Sequence, residues 1–189
     1  MKKLLFSLIL PLMSVSCAIA AEPGCAEDRA EIEDLMARYL FAMDWNDFDA
    51  YAEMFTEDGE IEFSSGLTKG RDNIVAAVKA FKGRIGMIYK DANGDPAVLR
   101  HVIAHKVIRV EGDRAFATSF WYEMANDGPD GKPQIGTFGH YEDELVRVDG
   151  KWFFKRRSIR NEFLEGRESG PVNPVRAMDE KADAAAKEK

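Results

Sequence analysis

Four long segments, near 98–110, 114–125, 134–148 and 151–163, constrain this chain more than anything else in it. Each alternates apolar and polar residues, and turn chemistry separates them. Glu111-Gly112-Asp113 and Asp149-Gly150-Lys151 predict tight hairpins, and the Asn/Gly/Pro-rich stretch 126–133 predicts a longer connection. Strands of this length cannot stay flat. Their twist predicts a sheet that curls into a half-barrel cone with room for a pocket on its concave side.

What precedes the strands is helical. Ile32, Leu35, Met36, Tyr39, Leu40 and Met43 fall on one stripe of a helix over 27–43. Phe48, Tyr51, Ala52, Met54 and Phe55 mark a short second helix, and Glu60–Phe63 a brief strand. Gly70-Arg71-Asp72 opens a third helix with Ile74, Val75, Val78 and Phe81 inward; residues 90–97 are loop. The order predicts an α+β domain: a curved antiparallel sheet packed against about three N-terminal helices.

The domain is expected over 21–165, after a secretory signal over 1–20 and before a polar tail over 166–189, of which 177–189 reads as a frayed helix or disorder. Lys2 and Lys3, the apolar run from Leu4 and the small residues Ala18 and Ala20 predict export to the periplasm or medium with cleavage before Ala21. The same run is too short and too interrupted for a membrane span. Its removal would take the formal charge from −7 to −9 and leave Cys25 without an intramolecular partner. An acidic surface opposes nucleic-acid binding, and no nucleotide or zincin motif occurs. The open sheet face carries enough Val, Ile, Phe and Trp to predict a homotrimer or homodimer.

The residues able to do chemistry are few. Asp44 continues the stripe of Met36 and Leu40, so it either caps the next helix or aims a carboxylate into a cavity. His101 and His105 share the odd-numbered face of one strand with Leu99, Ile103 and Val107. Four strand residues span roughly 13 Å, too far for two ligands of one metal ion. Each histidine is then a hydrogen-bonded structural residue or, with a buried carboxylate partner, a general base. His140 shares a face with Glu142 and Glu144 and reads as solvent-facing. Phe120 and Tyr122 lie on one strand face and Trp121 on the other; one set lines a pocket, and periodicity leaves open which. An inward Arg157 or Arg160 would bind a carboxylate or phenolate.

These residues carry a resemblance. Glu27 to Leu35, then Tyr39 and Asp44-Trp45-Asn46-Asp47-Phe48-Asp49, then Phe55-Thr56-Glu57-Asp58-Gly59 are similar to the opening of SnoaL-like proteins of the nuclear transport factor 2-like superfamily. Gly70-Arg71-Asp72-Asn73-Ile74, Arg100-His101, Gly139 to Leu145 and Asp149-Gly150-Lys151-Trp152 extend the likeness to about 163. Scytalone dehydratase, bile-acid 7α-dehydratase and hexachlorocyclohexane dehydrochlorinase share that pattern: an Asp ending the first helix against a His on the sheet, without a cofactor.

The resemblance places that pair at Asp44 and His101, with Tyr39 at the spacing of the bile-acid enzyme's tyrosine. That enzyme's second acid would fall near Ala125, beside Glu123, and its C-terminal Arg near Asn161, beside Arg160. It implies a lyase on a small hydrophobic cyclic or aromatic alcohol, by dehydration or loss of formaldehyde, with no metal or cofactor. His101 would be the base, Asp44 its partner, and Tyr39 with His105 the donors to a developing oxyanion. Two other readings of the same fold are a non-catalytic binding or assembly module and a steroid-type isomerase.

Overall fold

The computed structural model describes residues 23–166 and 170–187, so the expected signal segment lies outside the described residues. Helix α1 (Pro23–Asp44) leads into α2 (Phe48–Glu53), strand β1 (Phe55–Phe63), strand β2 (Gly66–Lys69) and helix α3 (Arg71–Ile88). Strands β3 (Leu99–Glu111), β4 (Arg114–Ala125), β5 (Gln134–Val148) and β6 (Lys151–Asn161) follow, and helix α4 (Pro174–Lys187) ends the described chain. No described helix is long and apolar enough to cross a membrane.

The six strands form one curved, unclosed sheet in the order β2-β1-β6-β5-β4-β3. The expected meander β3-β4-β5-β6 is antiparallel throughout, but β1 joins β6 in parallel. The β1–β2 hairpin contains a strand that the sequence reading did not separate, because Gly66-Leu67-Thr68-Lys69 is short and its residues are mostly exposed. The β5–β6 turn is built as its sequence predicts, with Asp149 at φ 50° and Gly150 at φ 78°, both left-handed.

Curvature comes from bulges. Register shifts occur between Ile103 and His105, between Tyr122 and Met124, between Glu144 and Leu145, and between Phe55 and Glu60. Each extra residue bends its strand and increases the local twist. At Gly139 a Cβ would stand 2.1 Å from the carbonyl oxygen of Arg160, so only glycine lets β5 and β6 approach there.

The concave face carries the core. Ile32, Met36, Tyr39 and Met43 of α1 pack with Ile74 and Val78 of α3 onto Ile61, Leu145 and Phe154, all buried. Asp28 pins the start of α1 to the sheet, accepting from Arg147 Nη1 at 2.6 Å and Trp152 Nε1 at 3.1 Å.

The convex face differs from expectation. The tail is an ordered helix there: Met178, Ala182 and Ala185 of α4 are buried against Phe116. Arg109 anchors it through Asp183 at 3.0 Å and Asp179 at 3.4 Å. Part of the face that the sequence left to a second subunit is thus covered by the chain itself.

Candidate functional site

Asp44 owes its position to the way α1 stops. Asn46 adopts a left-handed conformation (φ 60°), which Asn tolerates better than most residues. The N–H of Asp47 then returns to the carbonyl of Ala42 at 2.9 Å, and that of Asn46 to Met43 at 3.3 Å. This Schellman closure ends the helix immediately after the residue that continues its inner stripe. The cap of α2 is Asp47, which accepts from Ala50 N–H at 3.2 Å. Asp44 is free to reach the sheet.

Its target is His101, near the start of edge strand β3. Asp44 Oδ1 lies 2.6 Å from His101 Nδ1, and Oδ2 accepts from the His101 backbone N–H at 2.8 Å. Both carboxylate oxygens therefore hold one residue. Asp44 is only 8% exposed. Arg100 braces the junction, its guanidinium 3.8 Å from the Trp45 ring centroid and its Nη1 3.4 Å from the Asp44 carbonyl.

The other imidazole nitrogen meets a second acid. Glu123 sits directly across from His101 in the β3–β4 register, and its Oε2 is 3.5 Å from Nε2. Glu123 is 5% exposed, and its Oε1 accepts from Thr137 N–H at 3.3 Å. The resemblance had put the second acid two residues further on. The sequence signal for Glu123 is its shared parity with Trp121, which turns it to the same face of β4.

His101 lines a cavity of about 420 Å³, within the range of small-ligand sites. Met43, Phe63, Phe81, Ile85, Ile88 and Trp121 give it apolar walls. Tyr39, Tyr141 and Asn161 also line it, and Ser64, Ser65, Thr68 and Arg84 add further polar groups. Lys82 stands near the two acids: burial lowers its pKa, while the charges of Asp44 and Glu123 oppose the drop.

Several expected site residues lie elsewhere. The bulge at Ala104 reverses the parity of β3, so Ile103 pairs with Trp121 but His105 pairs with Phe120 on the opposite face. His105 is exposed there and stacks on Phe120 at 5.2 Å. Tyr122 shares the convex side with Phe120; of the three aromatic candidates on β4, only Trp121 faces the cavity. Arg160 also lies on the convex side, within 3.2 Å of Glu62 and 3.5 Å of Glu142.

Arg157 does point inward, but beneath the cavity wall. It is 0% exposed and binds Asp143 through two 2.7 Å hydrogen bonds. Its guanidinium carbon lies 4.0 Å from the Tyr39 ring centroid, 4.1 Å from Phe154 and 4.3 Å from Tyr141. Burial works against its charge, yet Asp143 outweighs burial and holds the Arg157 pKa above its ordinary value. Tyr39 reaches the cavity wall, but its hydroxyl is tied to Tyr51 Oη at 2.5 Å. Of the oxyanion donors expected at Tyr39 and His105, the first shares a hydrogen bond with Tyr51 in which either hydroxyl can donate, and the second lies on the convex face. His140 is not solvent-facing: it is 6% exposed, with Nδ1 2.7 Å from Glu162 and Nε2 3.5 Å from Glu142.

The model of the SnoaL-like domain matches residues 25–158. An uncharacterised Mycobacterium tuberculosis protein is 25% identical over 130 residues, which is 69% of this chain and 82% of that one. A solved Mycobacterium tuberculosis structure of unknown function is 27% identical, with a TM-score of 0.62 over 86% of this chain and 96% of its own. A candidate scytalone dehydratase from Novosphingobium aromaticivorans is 23% identical, with a TM-score of 0.58, covering 80% of this chain and 95% of its own, a likeness of fold.

Proposed function

This chain belongs to the SnoaL-like domain family, which includes dehydratases and isomerases, and from that premise we propose that its cavity is the active site of a cofactor-independent lyase. The substrate is a hydrophobic cyclic or aromatic alcohol, and the reaction is elimination of water or release of formaldehyde. One observation carries the reading: His101 lines an otherwise largely apolar cavity and has a carboxylate at each ring nitrogen.

The chemistry follows from that placement. Asp44 accepts the Nδ1 proton and fixes the tautomer, which leaves Nε2 as the base. In dehydration Nε2 takes a proton from the carbon next to the one bearing the hydroxyl. The C–H electron pair becomes the new double bond and the C–O bond breaks. The departing hydroxide takes a proton from Glu123 and leaves as water. Imidazolium and carboxylate then face each other across the 3.5 Å gap, and one proton transfer between them restores the starting state. In formaldehyde release the same base takes the hydroxymethyl O–H proton, the oxygen pair becomes the C=O of formaldehyde as the C–C pair passes to the ring carbon, and that carbanion takes the proton back from the His101 imidazolium.

The direct test is incubation of the purified protein with a panel of hydroxylated aromatic and alicyclic compounds, followed by mass spectrometry. The expected result is a product lighter by one water or one formaldehyde for at least one compound. Ligands that stabilise the protein yet emerge unchanged across the panel would favour a binding module instead.

A further inference from the structure

The cavity contains a second polar group whose role the His101 reaction leaves unassigned. Tyr141 lines the cavity at 3% exposure. No described residue hydrogen-bonds its hydroxyl, in contrast to Tyr39, whose hydroxyl is taken by Tyr51. With no described partner, the Tyr141 hydroxyl keeps contact with open space, and the cavity it lines is where an acceptor can enter. Its ring is fixed by two neighbours: Trp121 stacks on it at 5.7 Å with an 18° interplanar angle, and the Arg157 guanidinium lies 4.3 Å from its centroid. Trp121 in turn is 6.0 Å, centroid to centroid, from the His101 ring.

We propose that the Tyr141 hydroxyl donates a hydrogen bond to an oxygen of the ligand, a carbonyl or a developing enolate on a ring held against Trp121. This deepens the reading of the cavity as a lyase site and adds an oxygen-binding donor on the cavity side, which His105 does not reach. The direction of donation follows from chemistry. Burial holds the Tyr141 phenol well above its ordinary pKa of 10.0, with Tyr39 adding to the effect and Arg157 opposing it, so it remains protonated at neutral pH. The cation behind the ring draws electron density from the phenol and strengthens it as a donor. The ligand class is therefore a largely apolar ring with an acceptor oxygen, not one whose only polar group is an ammonium.

Ligand preference tests this without needing turnover. The probes are 1-tetralone and tetralin, which match in size and differ in the carbonyl oxygen. Isothermal titration calorimetry at pH 7 should show the wild type binding the ketone about tenfold more tightly, the worth of one hydrogen bond. Tyr141→Phe should erase that preference while leaving the tetralin affinity unchanged, which also verifies that the variant is folded. Tyr39→Phe should retain the preference. A wild type that binds neither probe or does not discriminate, or a Tyr141→Phe protein that still prefers the ketone, overturns the proposal. Ketone preference without turnover of any alcohol would keep the Tyr141 subsite and remove the lyase reading; turnover with the preference intact in Tyr141→Phe would do the reverse.

Discussion

Asp44 engages His101 twice, with Oδ1 on the ring at 2.6 Å and Oδ2 on the backbone N–H at 2.8 Å. The backbone contact fixes where the residue sits and the ring contact fixes how the imidazole is turned. One carboxylate thus couples the end of α1 to the edge of the sheet and to any proton chemistry at Nε2.

For that reason Asp44→Asn and His101→Ala are expected to lower turnover of a lyase substrate by about 10²–10⁴-fold. Affinity for a substrate analogue should change far less, because the apolar walls remain. Single-turnover kinetics checks this, and wild-type rates in both variants would end the His101 mechanism.

Asp143→Asn should be among the most destabilising single substitutions in the protein. It leaves the Arg157 guanidinium, 0% exposed, without its charge partner, a change that costs about 3–5 kcal/mol. Replacing both residues by apolar ones of similar volume should recover much of that loss. Urea denaturation of the single and double variants measures the difference.

His140 should make part of the stability depend on pH. Burial opposes its charge, but Glu142 and Glu162 outweigh burial and raise its pKa above 6.5. The stabilisation is therefore complete below pH 6.5 and fades as pH rises through the raised value. The hydrogen bond from His140 lowers Glu142 below 4.5 despite partial burial, so that share is present above pH 4.5 and lost as pH falls through the lowered value. The stability gap between wild type and His140→Gln should peak between those two pH values and shrink above them. A gap in denaturation midpoint that widens from pH 7 to 9 would contradict the assignment.

Met178→Ala should loosen α4 from Phe116 at a cost of about 2 kcal/mol, since it empties the largest apolar contact of that helix. Hydrogen exchange should show the loss concentrated in 174–187 and the convex face of β4, with the cavity walls unaffected.

Much of this molecule is legible in its sequence, because periodicity reports which side of an element a residue occupies. The stripe through Ile32, Met36, Tyr39 and Met43 is buried as read, and Asp44 reaches the sheet because it continues that stripe. The four long strands begin and end within about two residues of expectation. Helix α4 escaped because its buried stripe is one Met and two Ala, too weak to stand out among Lys, Glu and Asp. The parallel β1–β6 pairing carries no local signal at all, since nothing in Glu60–Phe63 says which strand it will meet. That His105, Phe120 and Tyr122 lie on the convex face, away from His101, was not legible for a different reason. Alternation places residues relative to one another only while the ladder is unbroken, and it does not say which face is concave.

Ala104 is where that alternation breaks, and it divides β3 into two halves that obey opposite rules. Before it, odd positions such as His101 face the cavity; after it, Ile108 is 3% exposed while Val107 is 39% exposed. Deleting Ala104 would remove the bulge and join the two halves in one unbroken alternation, with His101 and Ile108 both still facing inward and the local bend lost. That one extra residue therefore shapes the rim of the cleft and not its lining: a relative lacking it would offer the same side chains on a straighter edge.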